Sequence, residues 1–187
     1  MEENFFSVEK ARAEMYKKGI GYDEARSKLI GLLGNDSQIM LRNAQNGDEV
    51  RLSKTSIGKM LSNAAVQKSI NNGFTREQHY AVASDIDNLF VNSIKILEYT
   101  DKNGDPNLFI HRYAAILYFS DAIAYITVRE TKLIKHKYVG KRIYSTEIIE
   151  IKKFEGILNV VKKNLLANIP APNFYDENIQ KISNAAI

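Results

Sequence analysis

The sequence predicts an α+β fold with N-terminal helices, a central antiparallel sheet and a C-terminal helix. Three observations carry that reading. Apolar residues recur at helical spacing through most of the first hundred positions. After the polar stretch DKNGDPN the period changes to alternation, in segments rich in Ile, Val, Tyr and Thr. FEGILNVVKKNLL then returns to helical spacing. Helices first and a meander afterwards make one α+β domain. A length of 187 residues suits one core with short extensions. The expected parts are a helical extension over 1–37, a core over 38–152, and a C-terminal helix and tail over 153–187.

Residues 5–18 have Val8, Ala11 and Met15 on one helical face, with Ser7 as a cap. Gly19 and Gly21 break that helix. Asp23 can cap the next, EARSKLIGLL, which stops at Gly34. IMLRN and EVRLS flank AQNGD, and Asn46-Gly47 is a strong hairpin signal, so two short antiparallel strands are expected. Residues 53–72 are helical in two short pieces. Thr75 and Gln78 have capping-box spacing ahead of a helix from Arg76 to about Tyr99. The strands FIHRYAAILYF, IAYITVRE and RIYSTEIIEI follow, then the closing helix.

Composition excludes several classes. Without cysteine there is no disulfide, thiolate metal site or cysteine nucleophile. A net charge of +4 permits an anionic partner without requiring one. The start MEENFFSVEK is acidic and has no long apolar run, so no signal peptide is expected. No window approaches the roughly 18 uninterrupted apolar residues of a membrane span. A cytoplasmic protein without a membrane partner is expected. DKNGD has the alternating oxygens of a calcium loop, but Pro106 stands where that loop needs glycine. The histidines at 79, 111 and 136 lack the pairings of metal ligands, so no metal and no cofactor are expected.

The remaining polar groups have two readings each. His79 lies in the first turn of its helix. It is either packed over Phe74 or held neutral by the helix terminus as a general base. Alternation puts Tyr125, Thr127 and Arg129 on one face of their strand, and Arg142, Tyr144 and Thr146 on one face of the next. That face is either solvated or a site. The segment TKLIKHKYVGKR holds Lys132, Lys135, Lys137, Lys141 and Arg142 with no acid. It is either a phosphate-backbone grip or a solvated hairpin end. Lys59 lies in the helical segment after RLSK. Together these are the parts of a metal-free phosphodiester-cleaving site, in which such groups abstract a ribose 2′-hydroxyl proton and stabilise the phosphorane.

The order of several motifs resembles a family. His79 with Ile86, Leu89 and Phe90 is followed by His111-Arg112. Thr127-Val128-Arg129-Glu130 and Ile143-Tyr144-Ser145 with Glu147 come next. Over roughly residues 38–152 this is similar to the large polyvalent protein-associated domains of phages and mobile elements, grouped with barnase/EndoU/RelE-like nuclease folds. Arg129 stands where that pattern has lysine, which keeps the charge and changes the geometry. The resemblance implies a metal-independent endoribonuclease of a bacterial or phage-infected cell. His79 would be the base, Lys59 or Arg129 the phosphorane stabiliser, Thr127 and Tyr144 positioning groups, and His111 a second acid or base. The alternative is a catalytically inert module that binds nucleic acid or a protein through the basic segment. A neutralising protein partner fits either form.

Overall fold

The computed structural model describes residues 2–100, 104–117, 119, 122–132, 140–143 and 150–153. The helix α1 (Glu2–Lys18) ends on Lys17 and Lys18, whose charges suit the negative end of the helix dipole. It begins before Ser7, so Ser7 is inside the helix and is not its cap. Gly19 follows at φ +75°, donating to the Met15 carbonyl at 2.9 Å. Its α-carbon abuts helix α5 (Arg76–Ala83) so closely that an added Cβ would stand 2.5 Å from that of Glu77. The next residue, Ile20, donates to the Glu77 carbonyl at 3.1 Å.

α2 (Tyr22–Leu33) buries Ala25, Leu29 and Leu33 at i, i+4 and i+8. Gly21, rather than Asp23, is its N-cap. The hairpin β1 (Gln38–Arg42) and β2 (Glu49–Ser53) turns at Asn46-Gly47, where Gly47 takes φ +73°. The turn is organised by Asn43, which is fully buried. Its Oδ1 accepts from the backbone N–H groups of Gln45 and Asn46 at 3.0 and 3.1 Å. Its Nδ2 donates to the carbonyls of Phe90 and Ser93 at 2.7 and 2.8 Å.

Serines start the next two helices. Ser53 Oγ accepts from Ser56 N–H ahead of α3 (Lys54–Met60), and Ser62 Oγ from Ala65 N–H ahead of α4 (Asn63–Asn71). α5 (Arg76–Ala83) carries the full capping box: Gln78 N–H donates to Thr75 Oγ1 at 3.1 Å and Thr75 N–H to Gln78 Oε1 at 2.9 Å.

The expected single helix to Tyr99 is three elements: α5, α6 (Ile86–Val91) and the strand β3 (Ile94–Thr100). Polar side chains mark the breaks, some bonded locally and one held by a distant partner. Ser84 Oγ donates back to the Ala81 carbonyl at 2.8 Å. Asp85 takes a hydrogen bond from the Tyr16 hydroxyl and lies 3.4 Å from Arg12 Nε. Ser93 Oγ then closes α6 on the Phe90 carbonyl at 2.8 Å.

β4 (Leu108–Leu117) and β5 (Ala122–Thr131) form a ten-pair antiparallel ladder. The expected third strand is two, β6 (Gly140–Ile143) and β7 (Glu150–Lys153), each paired antiparallel to a different part of β5. The strand order is β1-β2-β6-β5-β4-β3, with β7 also on β5. All pairs are antiparallel except β2 and β6, which meet in parallel at Arg51 and Arg142. One face packs on the helices through Leu41, Val50, Leu52, Tyr113, Ile126, Val128 and Ile151, which join Leu29, Met60, Val82 and Phe90 in one core. Residues 1–156 form one compact unit. The expected C-terminal helix and tail lie outside the described residues.

Gly19→Ala should destabilise the protein by about 2 kcal/mol or more. The side chain meets both a positive φ and the backbone of α5. A chemical denaturation midpoint close to wild type would show that α1 and α5 can separate without cost.

Candidate nucleic-acid interface

His79 lies in the first turn of α5, on the side facing α3 and α4, and is fully buried. Its Nε2 is 2.9 Å from the Met60 carbonyl. That carbonyl only accepts, so Nε2 carries the proton. Nδ1 is therefore the acceptor, and the Ser69 hydroxyl 2.8 Å away donates to it. Ser69 Oγ accepts in turn from Ile151 N–H at 3.4 Å. Burial lowers the His79 pKa; the Met60 hydrogen bond opposes this and the Arg76 charge adds to it. A general base needs a lone pair that reaches its substrate. Here that lone pair is engaged by Ser69 inside the core.

His111 is also buried, on β4 between two neighbouring strands. Its Nε2 is 2.8 Å from Glu130 Oε2 on β5. Its Nδ1 is 3.1 Å from Glu98 Oε2 on β3, an ion-pair distance without hydrogen-bond alignment. Lys95 bonds Glu98 and so holds that carboxylate below the usual pKa range, with the nearby His111 adding a smaller effect. Lys95 also lies 3.8 Å from Asp48, which accepts from the Tyr113 hydroxyl. Burial first, and then Asp48, pushes the Tyr113 phenol up. This polar chain runs along the helix-side face of the sheet.

Thr127 and Arg129 stand on the other face, because their register partners are Arg112 and Ile110 rather than His111. The sheet therefore separates His79 and His111 from Thr127 and Arg129, and no single cleft gathers the four. Thr127 is buried. Lys59 is partly exposed in the last turn of α3. Lys132 is exposed with its ammonium 4.1 Å from the Phe109 ring centroid, and Phe109 shares its face with His111. Tyr144, Lys135 and Lys137 lie outside the described residues. Lys141 and Arg142 are placed by backbone register alone, opposite Glu130 and Arg129.

The face away from the helices has an arrangement of its own. One row of register partners crosses six strands: Met40, Arg51, Arg142, Arg129, Ile110 and Tyr99. Three consecutive positions of that row are arginine. Arg112 is two residues along β4 from Ile110 on the same face, its guanidinium 5.8 Å from the Tyr125 ring centroid. Arg51, Arg112 and Arg129 are partly buried, and each also interacts with other groups of the protein. Like charges directly opposite one another on neighbouring strands are unfavourable in themselves. An anion shared among them reverses the sign, and the planar guanidinium fork matches phosphate oxygens. Neighbouring strands are about 4.8 Å apart, so the arginine positions span about 10 Å.

Sequence reasoning placed Arg129 and Arg142 on one face but missed Arg51 and Tyr99. Alternation in EVRLS sets Arg51 opposite in direction to Val50 and Leu52, and was the available signal for it. Helical spacing carries the helix to Tyr99, although IKILEYT is rich in β-forming residues. Among the described residues, no group of three His, Asp or Glu side chains could hold a metal ion. No helix among them is long and apolar enough to cross a membrane.

The family model described as large polyvalent protein-associated domain 3 matches residues 21–144. No curated protein and no solved structure matches.

The buried imidazole makes stability depend on pH in a defined direction. Its folded pKa lies below the unfolded value of about 6.5. Its contribution is complete above that pH and is lost as pH falls toward and through the lowered pKa, because the unfolded chain binds the proton first. Thermal or urea unfolding between pH 7.5 and 5 should show this loss, and His79→Gln should flatten it. Ser69→Ala, which leaves Nδ1 and Ile151 N–H without this hydroxyl, should cost about 1–3 kcal/mol at pH 7.5. An unchanged urea midpoint would mean the hydroxyl is dispensable.

Proposed function

The chain belongs to the family of large polyvalent protein-associated domain 3, and from that premise we propose that it is a nucleic-acid-binding module of a mobile element, holding an RNA backbone on the arginine face of its sheet. The observation that carries this reading is the in-register run Arg51, Arg142, Arg129. Arginines at neighbouring register positions can share one phosphodiester or grip adjacent ones. The net charge of +4 has the sign that draws a polyanion to such a face.

The catalytic form of the reading is metal-independent cleavage with His79 as base, Lys59 or Arg129 stabilising the phosphorane, Thr127 and Tyr144 positioning, and His111 as second acid or base. It draws its support from the sequence, through these residue types and the resemblance. The geometry favours the binding form. Both His79 nitrogens are engaged in the core, and both histidines are on the opposite side of the sheet from Arg129. Of the basic segment, Lys132 lies over Phe109 and Lys141 is the register partner of Glu130, both positions on the His111 face, so neither extends the arginine row.

A fluorescein-labelled, unstructured RNA titrated at several salt concentrations tests the proposal. Affinity should fall linearly with salt on a log–log plot, by a slope of about 0.7 per phosphate contact on a single strand. Arg129→Gln and Arg51→Gln should each weaken binding and reduce that slope by about one contact. Binding that ignores salt, or that survives both substitutions together, would sink the proposal. Incubation of the same RNA in EDTA decides the catalytic form. Products with 2′,3′-cyclic phosphate ends, absent with Arg129→Gln, would make the module an enzyme.

A further inference from the structure

Strand β3 lies at one edge of the sheet, and an irregularity at Ile96 decides what it displays. Before Ile96, Lys95 is the partner of Tyr113; after it, Leu97 is the partner of Arg112 and Tyr99 of Ile110. The extra residue shifts the alternation by one. Lys95 and Glu98 thus remain on the helix side, and Leu97 and Tyr99 stand on the arginine face. Leu97 is 47% exposed and Tyr99 43%. At the opposite edge of the same row Met40 is 54% exposed. The other large apolar residues this exposed among the described ones are Val8 and Tyr22 on the helices. The arginine row is therefore bordered at both edges by apolar surface on the same face.

Resting on the reading that this face holds a phosphate backbone, we propose that Tyr99, with Leu97 beside it, is a stacking platform for an unpaired base, so that the face takes single-stranded rather than duplex nucleic acid. Tyr99 is two strand spacings, about 10 Å, from the Arg129 position. A nucleotide held by its phosphate over the arginines can therefore lay a neighbouring base on the phenol ring. A duplex keeps its base faces inside its own stack and offers a sheet only phosphates and groove edges. A single strand presents π-faces, and an aromatic ring on a sheet accepts any base. Tyr99 is at an exposed edge, so substituting it removes no core contact.

The test compares one unstructured single-stranded RNA, a blunt duplex of the same length and inorganic polyphosphate of matched charge. Each is titrated against wild type, Tyr99→Ala, Tyr99→Phe and Arg129→Gln. The single strand is expected to bind best. Tyr99→Ala should weaken it by about 5- to 100-fold with the salt slope unchanged, and Tyr99→Phe should keep most of the affinity. If the duplex or polyphosphate binds as well as the single strand, or Tyr99→Ala changes nothing, the platform is overturned while the arginine reading stands. If Arg129→Gln leaves all three affinities unchanged, the arginine reading itself falls, and an exposed apolar rim with no anion to border belongs to a protein contact.

Discussion

One neutral imidazole joins four elements of this fold. His79 on α5 donates to the end of α3 at Met60 and accepts from α4 at Ser69, and Ser69 in turn receives the backbone of β7 at Ile151. Each of these atoms is inside the core, where a missing partner costs more than the bond gains. The consequence is a fixed direction for every proton in the chain of bonds. Ile151 N–H points to Ser69, Ser69 O–H to His79, and His79 N–H to Met60. A charged ring would need two acceptors, which would require the Ser69 hydroxyl to turn its proton away from the ring. The ring's chemistry is thus committed to assembling helices against the last described strand.

With that layer fixed, the sheet works as a partition. β5 carries Glu130 and Arg129 side by side in sequence and sends them to opposite faces. Glu130 closes on His111, whereas Arg129 enters the row with Arg51. The position of Arg51 has an indirect cause. β2 touches β6 through a single register pair. The hairpin is held instead by its turn, where Asn43 reaches Phe90 and Ser93 and Asp48 reaches Tyr113 and Lys95. Polar groups on the helix side therefore help set the spacing of charges on the other side.

Much of this was legible in the sequence, for physical reasons that differ by element. The capping box at Thr75 and Gln78, the Asn46-Gly47 turn and the alternation through β4 and β5 are local signals, and the structure follows them. The split at Ser84-Asp85 was not legible, because a partner far away in sequence, Tyr16, holds Asp85 out of the helix. His79 had two readings in the sequence because helix position alone does not say what lies over the ring. Ser69 and Met60 supply that answer through tertiary contact. The arginine row depends on pairing between β2 and β6, which are about ninety residues apart in sequence; alternation gives the face of each strand but not which strands become neighbours.

The irregularity at Ile96 makes β3 a phase-sensitive element. Substitutions along the strand alter one side chain at a time. Loss of Ile96 would make the ladder regular and leave both faces as they are, whereas flattening the irregularity with Ile96 retained would exchange the strand's two faces beyond that point. Glu98 would then confront the arginines, and Leu97 and Tyr99 would turn toward His111, leaving the imidazole without its outer carboxylate. The bulged pairing at this one edge is what separates an electropositive surface with an aromatic border from a self-neutralised one.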